Sequence, residues 1–233
     1  MKMADKFCYV DENLKVINEN IAETADKCGR NINSVRLMAV TKTVAPEIVN
    51  HAVNLGLKLL GENKVQEFLS KQEIYDKSAE VHFIGHLQTN KVKYIIEPMS
   101  MIQSVDNIKL AKEINRLAIV HNKVMDILCE VNIGGEDSKS GVAPDRLREL
   151  LEQISEMQGI KVKGLMTIPP PSESDIFLGR MAELFNNIKS AEIPAVAMDE
   201  LSMGMTHDYQ QAIKYGSTIV RIGTGLFGAR NYN

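Results

Sequence analysis

The sequence predicts an α/β chain closed into a TIM-type (β/α)8 barrel, and three observations carry that expectation. Short apolar runs alternate with stretches of helical periodicity, and the pair recurs eight times along the 233 residues. The connections are tight, with no linker or low-complexity segment between them, so one domain over 1–233 is expected. Polar residues and glycines fall at the carboxyl ends of the apolar runs, where a parallel barrel builds its site. A doubly wound open sheet is the alternative reading of the same alternation.

Taken in order, Val10, Leu14, Ile17, Ile21, Ala22 and Ala25 recur at helical spacing among Asp11, Glu12, Lys15, Asn18 and Glu19. They predict an amphipathic helix over about 10–28 before the first strand, closed at Cys28-Gly29 by a left-handed glycine. Leu37, Met38, Ala39 and Val40 then form a run too short for a helix and apolar on both faces, the signature of a parallel strand. Pro46 opens a helix to Asn54, Leu57 to Gly61 is the next strand, and Glu62 to Lys77 the next helix. Val81 to Ile84 reads as a strand and Thr89 to Ile96 as a helix. The strand Met101 to Val105 leads into a helix from Asn107 to Val120 with Asp106 as its cap. Val124 to Asn132 is a longer strand, and Pro144 begins a helix to Met157. Ile160 to Ile168 is a strand that Pro169-Pro170-Pro171 turns into a helix from Ser174 to Lys189. Ala195 to Met203, a short helix from Asp208 to Tyr215, and the strand Thr218 to Ile222 complete the series.

Composition narrows the function. Hydrophobic residues make up 44% and charged residues 24%, and the net charge is −3, so neither a nucleic-acid partner nor an acidic tail is indicated. Cys8, Cys28 and Cys129 are odd in number and far apart, which argues against a disulfide framework or a zinc site and for a reducing, cytoplasmic setting. The amino terminus carries no apolar leader run, and no stretch is long enough to span a bilayer, so no membrane partner is expected.

The chemistry sits at the strand ends. Lys42 ends the first strand, where a desolvated lysine becomes a nucleophile toward an aldehyde; a solvated strand-end lysine is the plainer reading of the same residue. Arg221 lies on the last strand, which neighbours the first in a closed barrel. Gly223, Thr224 and Gly225 follow it where many barrels hold a phosphate, and Ser202-Met203-Gly204-Met205 offers further donors beside them. His82 reads as a core histidine, and His51, His86, His121 and His207 show no metal-ligand spacing, so no metal site is expected. Glu136, Asp137, Lys139 and Ser140 crowd the loop from Gly134 to Gly141, and the methionines read as packing.

The motifs A-V-T-K-T at Ala39, G-E-N-x-V-Q-E at Gly61, H-F-I-G-H-L-Q-T-N-K at His82, S-V-D at Ser104, V-N-I-G-G-E-D-S-K-S-G at Val131, G-L-M-T-I at Gly164, L-S-M-G-M at Leu201 and G-S-T-I-V-R-I-G-T-G-L-F-G at Gly216 are collinear over nearly the whole chain. On them the chain resembles the pyridoxal phosphate homeostasis proteins, relatives of the N-terminal barrel of alanine racemase. The resemblance implies that barrel, with pyridoxal phosphate held as a Schiff base on Lys42 and Arg221 facing the pyridine nitrogen. It also implies a phosphate held by Ser202, Gly223 and Thr224, and Asn63 near the ring. Thr41 stands where the family has serine, and Val81 where it has an aromatic residue; neither change removes a charged or covalent contact.

An arginine is a donor only, so one facing the ring nitrogen leaves it unprotonated and the ring a poor electron sink. The expected function is therefore reversible holding and delivery of pyridoxal phosphate, with apo forms of pyridoxal phosphate enzymes as partners, no efficient amino-acid catalysis, and a monomeric state. A single-domain amino-acid racemase is the alternative, against which stands the lack of residues for a second domain bearing an opposing base. A barrel enzyme acting on a phosphorylated sugar aldehyde through Lys42 is a third reading.

Overall fold

The computed structural model describes residues 7–136, 138–170 and 172–229; Asp137 of the glycine-rich loop, Pro171 of the proline turn and Arg230 lie outside them. Eight parallel strands close in chain order: β1 (Arg36–Val40), β2 (Leu59–Glu62), β3 (Glu80–Phe83), β4 (Met101–Val105), β5 (Met125–Glu130), β6 (Ile160–Met166), β7 (Val196–Ser202) and β8 (Ile219–Ile222). Closure is made by β1, which pairs Met38 with Leu59 of β2 on one side and with Arg221 of β8 on the other. The strands are apolar on both faces because both are covered. Met38 packs inside the barrel with Leu59, Ile84 and Ile219, while Ala39 joins the core between strands and helices.

Helices α1 (Cys8–Lys27), α2 (Pro46–Asn54), α3 (Val65–Lys71), α4 (Ile108–Val120), α5 (Leu147–Ser155), α6 (Ser174–Ser190), α7 (Tyr209–Lys214) and α8 (Thr224–Phe227) surround this sheet. Pro46 opens α2 as its first residue, and Cys28 closes α1 with Gly29 at φ +65° beyond it. The extra helix α1 buries Val10, Leu14, Ile17 and Ile21. Its side of the barrel is tied to the last units by Asn13 Nδ2, which donates to the Leu226 carbonyl at 3.0 Å, and by Arg30, which donates to the Ile213 carbonyl at 2.7 Å. It therefore braces the β1–β8 seam.

The structure corrects four expected elements. The expected helix from Glu62 shrinks to α3, because Glu62 stays in β2 with its carboxylate buried and Lys64 is extended at φ −130°. Thr89–Tyr94 winds as a 3-10 helix, and a 3-10 turn at Pro144–Arg146 precedes α5. The cap of α4 is Asn107, whose side chain accepts from the Leu110 N–H at 2.9 Å; Asp106 instead accepts from the Asn107 amide. Among the described residues, no helix is long and apolar enough to cross a membrane.

Candidate active site at the carboxyl ends of the strands

Lys42 leaves β1 inside a turn that is tied down from outside the barrel. Thr41 is fully buried and donates its hydroxyl to Glu62 Oε1 at 2.7 Å, and Tyr75 donates to the same oxygen at 2.5 Å. Lys71 donates to the Thr41 carbonyl at 3.0 Å, and Glu67 accepts from both Lys71, at 2.6 Å, and the Thr43 N–H, at 2.5 Å. Thr43 is held at φ +64°, a conformation a non-glycine residue keeps only when its surroundings impose it. Burial pushes the Glu62 carboxyl above the usual carboxylate range, against the opposing bonds from Tyr75 and Thr41. Burial works the same way on Glu67, but there the Lys71 and Thr43 hydrogen bonds win and its pKa is lowered. With Thr41 turned toward the helices, alternation gives Lys42 the barrel side.

Lys42 lines a cavity of about 170 Å³ together with Arg221, Gly223 and Thr224 from the last unit and Met205, Thr206 and His207 from the loop after β7. Arg221 is 3% exposed; it donates to Ser202 Oγ at 2.8 Å and to the Thr167 carbonyl at 2.7 Å. Burial lowers its pKa to about 10, opposed by Glu130 and Asp208, so the guanidinium stays charged at neutral pH. Glu130 ends β5 nearly buried. Its desolvation, with the neighbouring Asp106, pushes the carboxyl up to about 7, although Ser140 donates to it at 3.3 Å and Arg221 is close enough to pull it down.

The far end of the cavity has anion-binding chemistry. Gly223 precedes α8, and the Thr224 and Thr206 hydroxyl oxygens are 3.4 Å apart. The Gly225 N–H donates to Thr206 Oγ1 at 3.2 Å. A Cβ on Gly225 would stand 2.8 Å from Thr206 Cγ2, so a side chain there would push the two loops apart. After β2, Asn63 Oδ1 is a buried acceptor with no hydrogen-bond partner among the described residues, and the same holds for Glu62 Oε2 and the Ser104 hydroxyl. An orphaned acceptor in the barrel mouth is costly unless a ligand donates to it.

The structure thus brings Lys42, Arg221, Gly223 and Thr224 to one cavity. Ser202 joins them differently: its hydroxyl is buried beneath the cavity, accepting from Arg221 and donating to Gln103 Oε1 at 2.7 Å. His82 is the expected core histidine, 2% exposed, with Nδ1 at 2.9 Å from Gln103 Nε2. Thr206, His207 and Glu130 were not legible as site residues. Thr206 follows the L-S-M-G-M stretch directly, and its place beside α8 depends on the paths of two loops. Among the described residues, no group of three His, Cys, Asp or Glu side chains is placed to hold a metal. A larger cavity of about 560 Å³ opens at the other end of the barrel beside Arg36, Lys58 and Glu80, and shares no residue with this site. An amine, a fixed guanidinium and a cluster of hydroxyl and glycine donors around one cavity suit a flat ligand bearing a carbonyl and a phosphate.

Comparison with known proteins gives the same picture. The alanine racemase N-terminal domain family matches residues 13–231. The pyridoxal phosphate homeostasis protein of Aquifex aeolicus is 46% identical over 95% of this chain and 98% of its own. PipY of Synechococcus elongatus PCC7942, solved with pyridoxal phosphate bound, is 32% identical with a TM-score of 0.78, covering 89% of this chain and all of PipY. An unknown protein from Bifidobacterium adolescentis, solved as a crystal structure, superposes with a TM-score of 0.91 at 32% identity, covering 97% of each chain.

Proposed function

The chain belongs to the alanine racemase N-terminal domain family, among its pyridoxal phosphate homeostasis proteins, and from that premise we propose that it binds pyridoxal 5′-phosphate and keeps it in intracellular balance. One observation carries the reading: the cavity at the β1–β8 seam takes Lys42 from one strand and Arg221, Gly223 and Thr224 from the other. Bound pyridoxal phosphate supplies an aldehyde electrophilic toward amines and a ring that accepts electron density.

Each part of that cavity has a task. Lys42 presents the amine that holds the aldehyde, and the bonds to Thr41 and Thr43 from Glu62, Lys71 and Glu67 fix where that amine stands. Thr224, Thr206 and the backbone at Gly223 would hold the phosphate, and Asn63, with its orphaned acceptor, would contact the ring. Arg221, which donates to Ser202 Oγ, would face the ring nitrogen. As a donor-only group it leaves that nitrogen unprotonated. This restrains amino-acid chemistry and favours a carrier over a racemase. The carrier works as a monomer, in the reducing cytoplasm, and its partners are apo forms of pyridoxal phosphate enzymes.

Borohydride reduction of the loaded protein, followed by peptide mapping, tests the assignment. The added mass is expected on the peptide carrying Lys42, and Lys42→Ala is expected to lose the visible absorption of the bound cofactor. A label on Lys64 or Lys139, or an unchanged spectrum in Lys42→Ala, refutes it.

A further inference from the structure

Barrel interiors of this type are filled by layers of apolar side chains. Here one line of four polar side chains crosses the interior. His82 of β3, Gln103 of β4, Ser202 of β7 and Arg221 of β8 are each no more than 3% exposed. Polar groups at such depth are costly unless every one is paired. They are paired to each other, and one direction of the chain gives every donor and acceptor in it a partner.

Arg221 can only donate, so Ser202 Oγ accepts from it, at 2.8 Å. The one Ser202 proton then goes to Gln103 Oε1, at 2.7 Å. That fixes the Gln103 amide with Nε2 toward His82 Nδ1, at 2.9 Å. Nδ1 must therefore accept, and the imidazole is the neutral Nε2–H tautomer. Burial keeps it so by disfavouring the charged ring, although Glu80 lies 3.7 Å from Nε2. Reversing any one link would leave two donors or two acceptors face to face.

We propose that His82 and Gln103 are positioning residues for Arg221: through Ser202, this chain sets where the guanidinium stands and so the protonation state of the bound ring. Among the described residues, the guanidinium's other anchor is the Thr167 carbonyl, at 2.7 Å. With Ser202 held by Gln103, and Gln103 by a neutral His82, Arg221 has two fixed acceptors and the rest of its N–H groups remain for the cavity. The proposal rests on the reading that Arg221 faces the ring nitrogen, and its test separates the two.

The test loads the protein with pyridoxal phosphate labelled with ¹⁵N in the ring and reads the nitrogen chemical shift, the visible spectrum and the dissociation constant. His82→Leu and Gln103→Leu are expected to move the ring nitrogen toward its protonated shift and to weaken binding about two- to tenfold, the worth of one net hydrogen bond. His82→Asn, whose Oδ1 can replace Nδ1 as acceptor, is expected to restore both. Should the leucine variants fail to fold, Gln103→Met, close in volume and without an amide to accept from Ser202, breaks the same link; the same shift is then expected from it. A merely structural role would lower thermal stability without moving the nitrogen shift. If Arg221→Gln moves the shift but the His82 and Gln103 variants do not, the positioning role is overturned. If Arg221→Gln leaves the shift unchanged, the placement of Arg221 at the ring is overturned, and this inference with it.

Discussion

Glu130 sits where burial and the charge of Asp106 outweigh the attraction of Arg221, so its carboxyl titrates at about 7. An unfolded glutamate titrates near ~4.3, so the native state holds an extra proton between the two values. Stability from this group is complete below the unfolded value and is lost as pH rises through about 7, a ceiling of about 4 kcal/mol. Urea midpoints at mildly acidic and mildly alkaline pH are expected to show wild type falling by about 1–3 kcal/mol relative to Glu130→Gln. Parallel pH profiles for the two proteins would refute this. Residues of this kind mark the limit of sequence reading. Lys42 and Arg221 stood out because a charge at the end of an apolar strand is conspicuous. Glu130 did not, since its titration is set by burial in the folded barrel and then by Asp106, Ser140 and Arg221, which lie at separate places along the chain. Asp106 looked like the α4 cap by residue type, yet Asn107 beside it makes the bond.

The element that shapes the anion end is α8, a single turn whose start lies against the loop after β7. Gly225 makes that contact possible, since a Cβ would meet Thr206 Cγ2 at 2.8 Å and Ile222 Cγ2 at 3.1 Å. Gly225→Ala is therefore expected to push Thr206 away from Thr224 and weaken pyridoxal phosphate about tenfold or more, the loss of one charge-assisted hydrogen bond. Binding of unphosphorylated pyridoxal, which lacks the group held there, is expected to change little. Equilibrium dialysis with both vitamers measures the pair, and an equal loss for each would place the phosphate elsewhere. At this scale the sequence was most legible where periodicity was strong, as in α2, α4 and β4. It was least legible where side chains decide an end. Glu62 reads as a helix opener, but its buried bonds with Thr41 and Tyr75 keep it in β2 and delay α3 to Val65.

For the whole molecule, barrel closure is what turns residues 179 positions apart into one site: Lys42 and Arg221 meet because β1 pairs with β8. The eightfold alternation made closure readable in advance, because the strand count fixes which ends become neighbours. What the count could not supply was the filling of the barrel, where a polar line replaces apolar packing from His82 to Arg221. That filling bears on what the protein does with its ligand. A guanidinium is fixed at the cavity by Ser202 and the Thr167 carbonyl, and it stays charged at neutral pH. On the placement proposed above, facing the ring nitrogen, it cannot accept a proton from that nitrogen or stabilise a protonated one, so the ring would withdraw electrons weakly from a bound amino acid. Turnover of alanine, serine and other common amino acids, followed by α-proton exchange in deuterated water at saturating pyridoxal phosphate, is accordingly expected to fall well below the typical enzyme median of about 10 s⁻¹. Exchange or racemisation approaching that rate for any of them would replace the carrier with a racemase.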